Sequence, residues 1–387
     1  MKVGWQTKTI NQISVNLDNK RVPITKADRT RGKYPYYGAS GIVDYVADYI
    51  FDGDTLLISE DGANLLARST PIAFPASGKY WVNNHAHILK FEDTTTQRFV
   101  ELYLESIPLD DYITGAAQPK LNQQALNSIP IPYPPLPEQQ RIIGILDQAF
   151  AGIATAKANA EKNLQNARTL FESHLQSVFT QRGEGWEEKI FEEMVESNTI
   201  GLTKSSKEQG VDKAWRYVKM NNITRDNRFD ISSFTTVDAA DEEVGKFSLM
   251  DGDFLFNTRN SYELVGKSCI YENDSGETAL FNNNIMRVRF VNGIDARFVL
   301  LAFSSKLVKD ALNSMKSGTT NVSAIYYKNL KNLVIPIPPI PAQKKIVIEL
   351  DAIRAETQRL ESIYQQKITA LEELKKSLLH QAFSGQL

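Results

Sequence analysis

Residues 134–146 read PPLPEQQRIIGIL, and residues 338–350 read PPIPAQKKIVIEL. Each copy has prolines, then a glutamine with basic neighbours, then an apolar stripe. Pro137 and Pro341 fit a first helical turn, where a missing N–H costs little and φ is already set. The residues before them are pushed toward extended backbone. No proline interrupts the next 40 residues of either copy, so the pattern predicts helices over about 138–180 and 342–382, each about 60 Å long at 1.5 Å per residue. That length is typical of a coiled coil. The first stripe runs Leu146, Phe150, Ile153, Lys157, Ala160, Leu164, Ala167, Phe171; the second runs Ile353, Thr357, Leu360, Tyr364, Lys367, Leu371, Leu374, Leu378. A lysine interrupts each. Polar helices this long are unstable alone in water, and pairing within one chain, antiparallel, is the simplest solution; pairing in trans satisfies the same pattern.

Beyond these two phrases, the halves of the chain share further stations in the same order. Gly4-Trp5 answers Gly185-Trp186. FDGDTLLIS (51–59) answers LMDGDFLFN (249–257), each an Asp-Gly turn leading to a strand. VNNHAHILKF (82–91) answers LFNNNIMRVRF (280–290), with alternation suited to a half-buried strand. TGAAQPKLNQQAL (114–126) answers SGTTNVSAIYYKNL (317–330), each a Gly-led polar loop. The predicted fold class is therefore α+β. Two globular domains, 1–133 and 185–337, alternate with helical regions 134–184 and 338–387, as a pseudo-twofold internal repeat. Helices are also expected over 97–106 and 296–315.

The 387 residues carry 44 basic and 46 acidic side chains, a formal charge of −2. The total gives no support for a nucleic-acid partner, but a local basic cleft is compatible with it. A single cysteine, Cys269, rules out an internal disulfide and a thiolate metal cluster, and fits a reducing, cytoplasmic setting. No secretory signal is evident near the first residues, and no run of 18 apolar residues suggests a membrane span.

Several clusters suit a phosphate backbone and base edges. Lys26, Arg29, Arg31 and Lys33 precede Tyr34, Tyr36 and Tyr37 in a Gly-rich stretch, a basic cluster beside aromatic rings. Arg68 could join that face. In the second half Lys204, Arg216, Lys219, Arg225 and Arg228 lie close in sequence, and Arg259, Asn260 and Tyr262 follow. Arginine matches guanine and asparagine matches adenine in bidentate geometry. The Gly-led loops add Gln118, Lys120 and Asn122, matched loosely by Asn321 and Ser323. The plainer alternative for each is a solvated surface or a local turn. His85 and His87 are expected on one strand face, with no partner set for a metal. No phosphate loop, nucleophile elbow or EF-hand is present, and Glu187–Lys189 lacks the acidic pair a nuclease core needs.

PYYGASGIVDY (35–45), IPIPYPPLPEQQRIIGILD (129–147), LVIPIPPIPAQKKIVIELD (333–351) and LEELKKSLLHQAFSGQL (371–387) together resemble the specificity (S) subunit of type I restriction-modification enzymes, across nearly the whole chain. The resemblance implies a non-catalytic subunit whose two target-recognition domains each read half of a split site on double-stranded DNA. It implies docking of two modification (M) subunits, and of restriction (R) subunits in the full complex. S-adenosylmethionine would belong to the M subunit, ATP and Mg to the R subunit, and no cofactor to this chain. Candidates for subunit docking or helix pairing are Ile142, Ile143, Leu146, Ile346, Val347 and Leu350. One departure, Ala342 in place of an acid, separates the two docking phrases. The competing readings are a non-enzymatic coiled-coil scaffold whose lobes bind protein, and an autonomous DNA-modifying enzyme.

Overall fold

A computed structural model describes residues 4–115, 118–230, 232–273 and 276–387. Ala116 and Ala117 of the first Gly-led loop lie outside the described residues. The chain divides into two units, Met1–Glu161 with Gln365–Leu387, and Lys162–Tyr364.

In the first unit, the Asp-Gly turn at Asp52 delivers strand Thr55–Ser59, with Gly53 at φ 119°, a conformation glycine adopts without strain. All five residues of that strand are buried. Leu56 and Ile58 face one apolar cluster, with Leu89, Phe99 and Val100; Leu57 faces another, with Phe51, Tyr80 and Ile88. Successive side chains of a strand alternate faces, so burial on both sides produces an unbroken apolar run. Ala86–Lys90 is likewise buried on both faces rather than half-buried, and only Lys90 is exposed. The sheet order is Val15–Asn16, Ala86–Lys90, Thr55–Ser59, Ala73–Ala76, all antiparallel. A second sheet orders Gly41–Val46, Arg31–Gly38, Lys79–Val82, Phe51–Asp52, with its middle pair parallel. Gly32 sits where that hairpin bulges, and a Cβ there would lie 2.2 Å from the Ala47 backbone.

The second unit has a sheet ordered Val195–Ile200, Ile285–Phe290, Phe254–Asn257, Ser268–Ile270, and another ordered Gln209–Gly210, Thr235–Val237, Trp215–Val218, Ala279–Phe281. Ile285–Phe290 is also buried on both faces over its first four residues: Met286 and Val288 enter the main core, Ile285 a second cluster, and Arg289 pairs with Asp253 at 2.7 Å. The helix expected over 296–315 is two helices, Ala296–Ser304 and Lys306–Met315. Buried Ser305 is extended (φ −70°, ψ 151°), and its Oγ accepts from Val308 N, so it ends one helix and caps the next.

The two long helices are Leu136–Thr180 and Ile340–Ser384, 45 residues each. Segments of both pack together within each unit. In the first unit Lys157 meets Glu372 at 2.6 Å, and Lys375 lies over the Phe150 ring. In the second unit Arg354 lies over Phe171, 4.5 Å from the ring centre, and Arg168 meets Glu361. The lysine that interrupts the first stripe thus has a partner. The second stripe departs from expectation: Lys367 and Leu374 are exposed, and Ile368 and Leu379, one position past Lys367 and Leu378, are buried. A strict seven-residue repeat drifts around a 3.6-residue helix, so the buried face moves on by one position.

The repeated glutamine has a structural cause. Gln139 and Gln343 are fully buried. Gln343 Nε2 donates to Pro338 O (2.8 Å) and Gly293 O (2.9 Å), and its Oε1 accepts from Asp295 N (2.8 Å), the residue that caps Ala296–Ser304. Gln139 Nε2 donates to Pro134 O (2.9 Å), and its Oε1 lies 3.1 Å from Thr96 Oγ1 in the first turn of Thr94–Ser106. Each glutamine latches the start of a long helix to the start of a helix in the globular part. Buried amides carry such latches only when their polar atoms are paired.

Candidate nucleic-acid interface

In the first unit, four segments far apart in sequence meet. Ser59 Oγ donates to Ala39 O at the hairpin tip, and Asn83 N donates to Tyr37 O. Gly62 N donates to Pro119 O (3.0 Å), Leu121 N to Glu60 O (2.8 Å), and Glu60 N to His85 O (2.9 Å). Residues 38–41, 59–62, 83–87 and 118–122 therefore adjoin. Lys120 reaches Glu60 at 3.1 Å, and Gln118 is exposed. Asn122 caps the helix Gln123–Ser128 by accepting from Ala125 N (2.9 Å).

The basic–aromatic stretch divides by role. Lys26, Arg31 and Lys33 are exposed. Arg29 stacks on Tyr36 at 4.2 Å and pairs with Asp44 at 3.2 Å. Tyr36 is buried, and Tyr37 packs against Phe74 and Tyr80, so both rings belong to the core. Arg68 adopts a left-handed backbone (φ 51°), and its guanidinium donates to Leu104 O and Ile107 O, closing the end of Thr94–Ser106. Burial lowers its pKa from the usual arginine value. His85 and His87 do not share a strand face: His85 precedes the strand and meets Asp61 at 2.8 Å, and His87 is buried within it.

In the second unit, two candidate segments converge on one three-stranded sheet. Arg259–Asn260 pairs with Ser323–Ala324, which pairs with Ser317–Gly318. Tyr262 N donates to Thr320 O (3.0 Å). Arg259, Tyr262 and Asn321 are exposed; Asn260 donates to Asn257, and buried Ser323 donates to Thr319 O. Lys316, which the sequence motifs did not single out, lies 4.7 Å from the Tyr262 ring centre and donates to Tyr262 O. A second group forms around Gln209, which accepts from Lys219 Nζ (3.1 Å) and donates to Lys204 O (2.9 Å). Lys204 also pairs with Glu243, and Arg216 with Glu277. Arg225 and Arg228 join neither group. They line a separate cleft with Arg168 and Arg354, about 520 Å³ in volume.

Ile142 and Leu146 pack into the core of the first unit, and Val347 and Leu350 into that of the second; Ile143 and Ile346 are partly buried against the same cores. Their helices thereby seat on the globular parts. In the second unit Ile348, next to Val347, points outward and is 70% exposed. Among the described residues, no helix is long and apolar enough to cross a membrane, and no group of three or more His, Cys, Asp or Glu side chains could hold a metal.

The chain thus combines two sheet-built lobes, each with clustered polar loops, and two long helices. Residues 2–165 and 183–370 match the type I restriction modification DNA specificity domain, and the chain belongs to that family. It is a type I restriction-modification specificity subunit, a non-catalytic component of its system. It is 27% identical over 360 residues to a Haemophilus influenzae protein described as a type I restriction enzyme specificity subunit, covering 90% of this chain and 87% of that one. It is 24% identical over 285 residues to the EcoKI specificity subunit of Escherichia coli K12, covering 70% and 61%. A structure reported for complex assembly and conformational transition of a type I R-M system aligns over 100% of this chain and 99% of the other with TM-score 0.73 at 17% identity. The HsdS subunit of Thermoanaerobacter tengcongensis aligns over 100% and 98% with TM-score 0.65 at 15% identity. These two likenesses show the fold.

Proposed function

We propose that this chain reads a bipartite double-stranded DNA target, one half-site per lobe, and docks two modification subunits through its helical regions. The observation that carries the reading is the convergence of polar loops from separate segments in each lobe, with Gln118 and Lys120 in one and Arg259, Tyr262 and Asn321 in the other presented beside them. Phosphate contacts from Lys26, Arg31 and Lys33 would position a lobe, and base-edge contacts from the loops would select sequence. On this reading 1–133 and 185–337 are the target-recognition domains, and 134–184 and 338–387 the helical regions between and after them.

An internal repeat is supported by strand order. Val15–Asn16, Ala86–Lys90, Thr55–Ser59, Ala73–Ala76 in one unit corresponds to Val195–Ile200, Ile285–Phe290, Phe254–Asn257, Ser268–Ile270 in the other. Antiparallel helix pairing is supported by the order of contacts: within the first unit Arg141 donates to Leu387 O and Lys157 pairs with Glu372, so one number rises as the other falls. In the second unit exposed Ile348, beside half-buried Ile346, offers apolar surface for a modification subunit. S-adenosylmethionine would be held by that subunit, and ATP and Mg by restriction subunits in the full complex. The system would act on DNA in the cytoplasm.

Sequencing methylated genomic sites with this gene present and absent tests the reading. A split motif appearing only with the gene is the expected result. A motif unchanged by its removal, or a continuous one, refutes it.

A further inference from the structure

The first lobe contains a buried polar cluster centred on a histidine, His87. His87 is 1% exposed in a strand whose neighbours Ala86, Ile88 and Leu89 are apolar and buried. Its Nδ1 lies 2.6 Å from Asp18 Oδ2, and its Nε2 lies 2.7 Å from Leu121 O. Glu60 Oε2 lies 3.9 Å from Nδ1, and Glu60 is itself held by Arg21 and Lys120. Both ring nitrogens face oxygens, one a carboxylate and one a loop carbonyl.

Leu121 belongs to the 118–122 loop, and the ring grips that loop from the central strand of the sheet. The second lobe uses the same backbone ties: Ile325 N donates to Thr258 O (3.0 Å) and Thr258 N to Asn284 O (2.8 Å), as Leu121 N does to Glu60 O and Glu60 N to His85 O. The ladders also correspond, Ile58 opposite His87 and Phe256 opposite Met286. Where the first lobe has an imidazole joining a carboxylate to a loop carbonyl, the second has the apolar side chain of fully buried Met286. A sheet that needed only filling at this position would be served by methionine in both lobes.

We propose that His87 is a positioning residue for target reading by the first lobe: the bond between its Nε2 and Leu121 O holds the 118–122 loop to the central strand, with Asp18 orienting the ring from the other side, and so sets where Gln118 and Lys120 meet DNA. This rests on the reading of that loop as a DNA contact. The second lobe holds its corresponding loop through backbone pairing, with Arg259–Asn260 paired to Ser323–Ala324 and Ile325 N donating to Thr258 O (3.0 Å). The two half-sites therefore depend on different devices.

Two substitutions separate the two bonds. Asparagine puts an amide nitrogen near the Nδ1 position, keeping Asp18 and losing Leu121; glutamine reaches the Nε2 position, keeping Leu121 and losing Asp18. In the complete methyltransferase complex, with methylation sequenced site by site, His87→Asn is expected to reduce base discrimination about tenfold at one half-site. That half-site is the one relaxed by the Gln118→Ala/Lys120→Ala pair; the other stays unchanged, and His87→Gln keeps most of the discrimination. Thermal melts of both variants give the folded fraction used to normalise the data. Equal effects of the two variants, loss shared by both half-sites, or loss that tracks the folded fraction each overturn the proposal. If the Gln118/Lys120 pair leaves both half-sites intact, the loop does not read DNA and the proposal falls with that reading. If the pair relaxes one half-site and His87→Asn does not, the loop reads DNA and the positioning role alone is refuted.

Discussion

Replacing Gln343 by methionine keeps the volume of a fully buried side chain and removes its amide. Three hydrogen bonds are lost, to Pro338 O, Gly293 O and Asp295 N. Gly293 is exposed, so water can take its carbonyl. Pro338 is buried and Asp295 is half-buried, so their groups are left largely without a substitute partner. An unpaired buried polar group costs about 1–3 kcal/mol, so the expected loss is about 2–4 kcal/mol. For a unit of this size, that corresponds to a drop of roughly 5–15 °C in Tm. Trp186 packs 5.9 Å from Phe298 in the latched helix, so its fluorescence reports locally once Trp5, Trp81 and Trp215 are changed to phenylalanine. Urea and thermal melts of Gln343→Met are compared with Lys344→Met, an exposed neighbour expected to stay within about 0.5 kcal/mol of the parent. A Gln343→Met shift no larger than that of Lys344→Met refutes the latch. Gln139, which makes fewer bonds of the same kind, should show the same effect at smaller size in the first unit.

Burial pushes the Asp18 carboxyl up, but His87, Ile88 N–H and Arg21 together hold it below the usual aspartate value; Glu60 is pushed up by burial and held below its usual value by Arg21, His87 and Lys120. Carboxyls depressed in the folded state stabilise it above the unfolded value, near pH 4, and lose that contribution as pH falls through the folded value. Denaturant melts across this acid range should show the first unit weakening, with a shallower acid slope in Asp18→Asn; an identical slope refutes the network. Arg259→Ala should relax one base position by about 1–3 kcal/mol in a binding-site selection, whereas Lys33→Ala should weaken all sequences alike and lower the salt slope by about one. Removing two matched turns from each long helix shortens each by about 10 Å, so a methylation series over spacer length should shift its optimum by roughly three base pairs; an unchanged optimum refutes a ruler. Gly32→Ala sets a methyl group against the Ala47 backbone, and loss of folded protein in a melt is expected, with an unaltered Tm as the refuting result.

The sequence read well wherever one local rule decided the matter. Pro137 and Pro341 located the long helices to within two residues at their starts, and the Asp-Gly turns located Thr55–Ser59 and Phe254–Asn257. It read poorly where a side chain's partner is far along the chain. Arg68 looks like any surface arginine until Leu104 and Ile107 place their carbonyls at its guanidinium. Tyr36 and Tyr37 looked like a stacking platform beside basic residues and are core rings. His87 carried a usable signal, a polar residue inside an apolar strand, but Asp18 and Leu121 lie 69 and 34 positions away.

Proline placement and the proline-free stretches that follow thus located the two long helices unaided, because a helix start depends on neighbours a few residues apart. Which polar residues stay exposed was settled only by contacts in three dimensions. A buried charge or amide must find its partner through space, and the strand pairing that supplies the partner is set by the whole sheet.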